Sequence, residues 1–529
     1  MLSAGQPDVV LLVLDTLRAD RLSCYGYHRL TSPHIDRFAE SAALYEQAVS
    51  PAQWTIPAHA SIFTGEYPTT HMTTQIYDRH RKDQLTLAEL LTRAGYQTAG
   101  FCNNPLLGVV DNDLDRGFEE MYNYGGAVPV RPSINESGPR WMSRLSQRVG
   151  RFLNHLTTPI QDVFARNETL LRIALHPRIV PLWQGQVNFK GNTRQSLRDI
   201  VGYLQSRRAR GRERPLFTFI NLMETHLPYA MPQRFIRRFA PYLQDDREAR
   251  DFIKGYNLEH YRWMVPLIEP LTDLQDRVIN DLYDAEVAYE DHLLRHLFDY
   301  LDEPDVRDNT LVIITSDHGE GLNHHDFVGH SLVAYNDLVH VPLIVRYPEG
   351  RGANEHVRKV VSSRRIFHTV LDQTGVGGAI DPDLWPEART DDVRRLNLAN
   401  AFVDPALEPR HVFSEAYVPD TLIRLMSNID QDVEDRFRWR ESRRAVYEDG
   451  FKLITVGDEP DELFDVRSDP GELVNLLAQY PEMVLELNGA LAEFLSAAES
   501  RRSGDWTTAR VDLDEDEELV ERLRGLGYL

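Results

Sequence analysis

The stretch Asp8-Val-Val-Leu-Leu-Val-Leu14 is continuously apolar, rich in β-branched residues and closed by Asp15. A short run of that kind is the pattern of a strand buried on both faces, because a strand with one wet face alternates apolar and polar residues. The design recurs twice. Pro215 to Met223 leads to His226, and Thr310 to Thr315 leads to Asp317 and His318. Between these runs lie helical stretches such as Gln84 to Ala94, closed by Gly95, and Asp281 to Leu301, with apolar residues at helical spacing. Alternating strands and helices imply a mostly parallel sheet covered on both faces, with ligands beyond the carboxyl ends of its strands. The polar groups that close the three runs are therefore expected at one edge of the sheet.

Residues 127–190 break the alternation with scattered Arg and Pro, and 228–275 are similarly irregular; both read as helical insertions that roof the site. Arg443 to Ile454 has the rhythm of a hairpin around Asp449-Gly450, and a helix is expected from Glu482 to Ser500. The expected organisation is an α/β catalytic domain over 1–380 with a large, mostly parallel sheet flanked by helices. A small C-terminal α+β subdomain follows over 381–529. A chain of 529 residues accommodates both.

The balance of 58 Lys+Arg against 81 Asp+Glu, a net charge of -23, repels polyanions and argues against nucleic acid as a partner. A small anionic substrate then needs a local positive site, which a metal ion supplies most simply. The two cysteines, Cys24 and Cys102, are too few for a disulfide framework or a thiolate zinc site and read as buried small hydrophobes. No apolar run reaches the roughly 20 residues that span a bilayer, and no export signal is legible, so a cytoplasmic location is expected. Oligomeric state is open, a homo-oligomer included.

In Thr55-Ile-Pro57-Ala-His59-Ala-Ser-Ile-Phe-Thr-Gly65, Pro57 fits a first helical turn and Gly65 a helix end. Thr55 then sits at a helix N-terminus, where unpaired N–H groups and the helix dipole favour an alkoxide or a bound anion. His59 follows one turn later; taken alone, the pair reads equally as a helix cap and an ordinary surface histidine. Asp317-His318, at the end of a buried strand, can ligate one divalent ion, with Asp15 adding an oxygen from a neighbouring strand. Downstream, His324, His325 and His330 crowd one loop.

These residues resemble the sulfatase family of the alkaline-phosphatase superfamily, in a divergent branch. Val13 to Asp20, with Gly26 and Thr31 to Asp36, is similar to the family's first block, and Thr55 to His59 with Thr64-Gly65 and Tyr67-Pro68 to its nucleophile block. Thr225-His226-Leu-Pro228-Tyr229, Ser316 to Glu320, Tyr335 to Ile344 and Leu463 to Leu476 follow in the family's order, so the resemblance covers nearly the whole chain. It implies the alkaline-phosphatase-like fold and one divalent metal ion, Mn, Mg, Ca or Zn, held by Asp15, Thr55, Asp317 and His318.

The departures shape the expected chemistry. The family's nucleophile is a Cys or Ser oxidised to formylglycine, with Arg four residues on; here stand Thr55 and His59, and threonine is not a substrate for that oxidation. Thr16 replaces a second aspartate, Asn103 and Asn104 stand near an expected Lys and His, and His330 takes the place of a later lysine. The expectation is an ester hydrolase with Thr55 as nucleophile, His226 or His330 as proton donor, His59 holding substrate oxygens, and Asn103, Thr16 and His325 as further substrate contacts. A threonine ester has no elimination route and must be cleaved by fresh attack, which favours phosphate diesters or phosphonate monoesters over sulfate esters. The alternatives are an arylsulfatase-like enzyme without formylglycine, a phospho-group transferase, a two-zinc phosphatase using His226, His325 and His330, and a non-catalytic family member.

Overall fold

In a computed structural model, the described residues are 6–125, 129–132, 190–211, 213–259, 263–264, 270–378, 387–427, 432–501, 510–511 and 523. The segment 127–190, expected as a helical insertion, and the expected domain boundary near 380 fall almost wholly outside them.

The core is an eight-stranded sheet of β1 (Asp8–Leu14), β2 (Ala43–Tyr45), β3 (Gln97–Cys102), β4 (Glu120–Asn123), β5 (Leu216–Leu222), β6 (Thr310–Thr315), β7 (Leu343–Arg346) and β8 (His356–Val357). Their order across the sheet is β8-β2-β7-β6-β1-β5-β3-β4. β1 lies in the middle, parallel to β5 on one side and β6 on the other, and all seven of its residues are buried. Only β7 runs against the rest, pairing antiparallel with both β6 and β2. The three apolar runs are thus adjacent in space, β5-β1-β6, and every one of their ladder positions is dry.

Helices cover both faces. On one lie α1 (Thr55–Thr64), α2 (Leu87–Arg93) and α5 (Arg365–Gln373), whose apolar residues join Leu11, Val13, Phe217 and Ile313 in one core. On the other lie α3 (Thr193–Ala209) and α4 (Asp273–Leu301), packed over Leu12, Leu14, Ile220 and Ile314. Thr86 and Glu89 close a capping box on α2, and Thr272 with Gln275 another on α4, which therefore begins two turns before the apolar periodicity does. Within 228–275, Gln233–Phe239 and Arg247–Glu259 are helices packed against α4.

The C-terminal part carries an antiparallel sheet of β9 (Val412–Ala416), β10 (Arg443–Glu448), β11 (Phe451–Val456) and β12 (Glu459–Asp465), with α6 (Pro481–Arg501) laid across it. The β10–β11 hairpin turns at Asp449 and Gly450, both at positive φ (48° and 90°), the geometry an Asp-Gly pair accepts. Cys102 is buried as expected, whereas Cys24 is only partly so.

Candidate active site

Four chain segments leave the carboxyl edge of the sheet and meet. Asp15 follows β1, Asn103 and Asn104 follow β3, Thr225 and His226 follow β5, and Asp317 and His318 follow β6. Asp15, Asp317 and His318 are fully buried, with ligand atoms all within 4.8 Å of one another, the one such group among the described residues. Backbone hydrogen bonds fix the group: Thr225 Oγ1 donates to the Asp15 carbonyl (2.6 Å) and the His318 N–H to Asp317 Oδ1 (3.0 Å).

α1 delivers Thr55 to this cluster at its first residue, with Gly65 at φ 71° closing the other end. Thr55 Oγ1 lies 3.3 Å from His318 Nε2 and is also hydrogen-bonded to the Asp317 carboxylate. His318 Nδ1 is 2.8 Å from the Gly319 carbonyl, which can only accept, so that nitrogen carries the proton and Nε2 presents its lone pair. His59 is fully buried, not on the surface: Nδ1 donates to the Thr55 carbonyl (2.9 Å), and the ring stands edge-on to Phe63 and Phe219. Burial pushes its pKa down to about 3, so the imidazole is neutral.

The electrostatics suit a cation. Burial, reinforced by the Asp317 charge, pushes Asp15 up to about 8, and burial pushes Asp317 up to about 7. Asp15 Oδ1 and Asp317 Oδ2 are buried without a hydrogen bond, while Asn104 (2.7 Å) and Asn221 (3.5 Å) donate to Asp15 Oδ2. Two buried carboxylate oxygens facing an imidazole lone pair form a hard, negatively biased donor set that fits one divalent ion.

Thr16 is a β-branched residue at φ 62°, a conformation that costs on the order of 1–3 kcal/mol and concentrates at functional sites. Its N–H lies 3.4 Å from Asp317 Oδ1, and its buried hydroxyl has no hydrogen-bond partner. His330 packs against both His318 (ring centroids 4.7 Å) and His226 (5.0 Å), and its Nδ1 is 3.1 Å from Glu320 Oε1. Glu320 is fully buried and pushed up by burial to about 8.

Two expected substrate contacts are placed differently. The Asn103 amide donates to Thr193 Oγ1 (2.8 Å) and accepts from Ser196 Oγ (2.7 Å), which engages it with α3; its neighbour Asn104 reaches Asp15 instead. His325 stacks face to face on Tyr335 (3.9 Å), whose hydroxyl donates to Glu462 of β12, so the ring is held toward the C-terminal sheet. Sequence reasoning gave Asn104 no role of its own and passed over Asn221 and the pairing of Glu320 with His330. Asn104 and Asn221 are separated by 117 residues and meet only through the register of β3 on β5.

An open, mostly parallel sheet with a buried Asp, Asp, His cluster at its carboxyl edge, facing a hydroxyl at a helix N-terminus, defines an alkaline-phosphatase-like α/β protein. The sequence profile of the sulfatase family matches residues 7–376, and the chain belongs to that family, whose members are ester hydrolases. It is 23% identical to the uncharacterized sulfatase YidJ of Escherichia coli, over 95% of this chain and 90% of that one. It is 21% identical to an N-acetylglucosamine-6-O-sulfatase of Bacteroides thetaiotaomicron, over 92% and 86%. In fold it resembles the phosphonate monoester hydrolase of Agrobacterium radiobacter, with a TM-score of 0.60, 20% identity and coverage of 94% and 96%.

Proposed function

We propose that the protein hydrolyses small anionic esters through a covalent Thr55 intermediate, with phosphate diesters or phosphonate monoesters as the preferred class. The observation that carries this reading is the Thr55 hydroxyl, held at the N-terminus of a buried helix within hydrogen-bonding reach of His318 and Asp317. Asp15, Asp317 and His318 would hold one divalent cation, which when bound supplies positive charge that favours the alkoxide form of Thr55 and the oxygens of the transition state. Thr55 Oγ1, its proton released to solvent, attacks phosphorus in line as the bond to the leaving oxygen breaks. The N–H groups at the start of α1 face the anion that forms.

The leaving oxygen needs a proton, and hydrogen-bond geometry favours His330 over His226 as donor. Nδ1 of His226 lies 2.8 Å from the Leu227 carbonyl, so in the neutral ring that nitrogen carries the proton and Nε2 has none to give. Nδ1 of His330 faces a carboxyl group, so Glu320 can hold one proton against it while Nε2 carries the other. Water then cleaves the Thr55 ester at phosphorus, since that ester lacks the second hydroxyl by which a formylglycine hydrate expels sulfate. A two-zinc reading finds less support, because His325, one of the ligands it needs, is stacked on Tyr335. The test is a panel of aryl phosphate mono- and diesters, phenylphosphonate esters and aryl sulfates, assayed with Mn, Mg, Ca and Zn. Sulfate turnover exceeding every phosphorus ester would overturn the preferred class.

A further inference from the structure

A cavity of about 180 Å³ lies away from the Asp15–Asp317 cluster, in the seam where α6 and the start of β9 meet the far end of α1 and the start of α5. Its apolar wall is formed by Tyr67, Phe413 and Phe494; Phe413 and Phe494 stack at 4.1 Å, and Tyr67 stands edge-on to both. The rest of the lining is cationic. Arg364, Arg365, Arg395 and Arg501 all line the space.

The four guanidinium groups are not equivalent. Arg365 forms a two-pronged buried pair with Glu408 (2.6 and 2.7 Å), and Arg395 pairs with Asp392 (2.9 Å), so both are already matched. Arg501 lies 3.8 Å from Glu66, the one acidic group on the wall, which that arginine offsets. Arg364 is different. It donates to the Gly65 carbonyl, its plane covers the Tyr67 ring at 4.4 Å, and its buried Nε has no hydrogen-bond partner. Ser362, two residues away and 2% exposed, lines the same space with a hydroxyl that likewise has none.

A guanidinium stacked on an aromatic ring and matched only by a carbonyl, beside an unpartnered buried hydroxyl, is a donor set suited to one oxyanion. An apolar cavity of roughly 150 Å³ accepts benzene, so this one has room for a six-membered ring carrying a small charged head. We propose that this seam binds a small aryl or alkyl oxyanion, its carboxylate, phosphate or sulfate head on Arg364 and Ser362 and its apolar body against the wall formed by Tyr67, Phe413 and Phe494. The site is separate from the catalytic centre, and the inference does not depend on the reaction proposed above.

Benzoate is a suitable probe because a carboxylate is not an ester that the enzyme could turn over. Calorimetric titration of the full chain with benzoate is expected to give one saturable site. Inorganic phosphate, lacking the ring, and benzyl alcohol, lacking the charge, should each bind more weakly. Arg364→Met should weaken benzoate by about tenfold or more, the scale of one charge-assisted hydrogen bond, and Asp317→Asn should leave it unchanged. Because Arg364 also holds Gly65, Ala497→Phe is a second variant: Ala497 is exposed on α6 and lines the cavity, so the larger ring fills it without entering the core. It should abolish benzoate binding with ester hydrolysis intact. Absence of saturable binding, binding that survives Ala497→Phe, or binding lost in Asp317→Asn would each overturn the proposal, the last by moving benzoate to the catalytic centre.

Discussion

Thr55 Oγ1 and His318 Nε2 lie 3.3 Å apart, with the imidazole proton held on the opposite nitrogen by the Gly319 carbonyl. The contact joins the first residue of α1 to the end of β6 across 263 residues of sequence. If Thr55 is the nucleophile, Thr55→Ala should lower turnover of an activated ester by on the order of 10³-fold or more. It should cost about 1 kcal/mol of stability, one lost hydrogen bond. Thr55→Ser keeps the hydroxyl and should retain measurable activity. Steady-state rates with a nitrophenyl ester, beside thermal melts, decide the matter; an alanine variant as fast as the parent removes Thr55 from the mechanism.

Asp15 and Asp317, pushed up to about 8 and about 7 by burial, place two carboxyl groups where neither ionises easily without a counter-charge. A divalent cation at 100 times its dissociation constant should therefore stabilise the chain by about 2.7 kcal/mol. Asp317→Asn should remove most of that gain. Melting curves with and without chelator, together with elemental analysis, test this, and two tightly bound ions per chain would contradict a single site.

Much of this architecture is legible in the sequence because the strands that carry the site are dry on both faces. Asp8–Leu14 and Thr310–Thr315 appear in the structure with the same ends that their apolar runs give them. The Asp449-Gly450 hairpin and the Pro57–Gly65 helix are equally visible, since turn and cap residues act locally. β2 and β7 are not: they are three and four residues long, and β7 is antiparallel in a parallel neighbourhood. In the site, Asp15, Thr55, Asp317 and His318 are readable as strand and helix ends. The choice between Asn103 and Asn104 is not, because adjacent residues leaving a strand point to opposite sides and only the packing of α3 settles which turns inward.

The C-terminal sheet is tied to the loop after β6 by Lys452, which is fully buried and donates to Glu472 (2.5 Å), the Ala334 carbonyl (2.7 Å) and Asn336 (3.2 Å). Removing one partner of a buried pair strands the other's charge. Lys452→Met should thus destabilise the protein by about 3–5 kcal/mol, and adding Glu472→Gln should recover part of the loss. Denaturant titration of both variants measures the coupling, and a double variant no more stable than the single one would count against it.

His330 as proton donor makes a prediction about leaving groups. A nitrophenolate departs without help, an alkoxide does not. His330→Ala should consequently slow alkyl esters by about 10²-fold while sparing nitrophenyl esters, and Glu320→Gln, which keeps a group beside Nδ1, should fall between. His226→Ala should slow both kinds of ester alike. Equal losses on both substrates in His330→Ala would shift the donor's role elsewhere.

Thr16 sits where the family resemblance implies a second aspartate, at a φ of 62° that a β-branched residue accepts poorly, with its buried hydroxyl lacking a hydrogen-bond partner. Aspartate tolerates this backbone conformation better, so Thr16→Asp should relieve strain while adding a carboxylate beside Asp317. The two consequences oppose each other. Without metal, a third buried acid next to two already hard to ionise should lower the melting temperature. With metal, the extra anionic oxygen should tighten binding by about tenfold, because site affinity for hard cations rises with the charge of the ligand set. The signature is therefore a wider gap between metal-free and metal-loaded melting temperatures than in the parent. A gap that stays the same would mean that residue 16 lies outside the reach of the ion, and that the chain's departure from the family at this position is a matter of backbone strain alone.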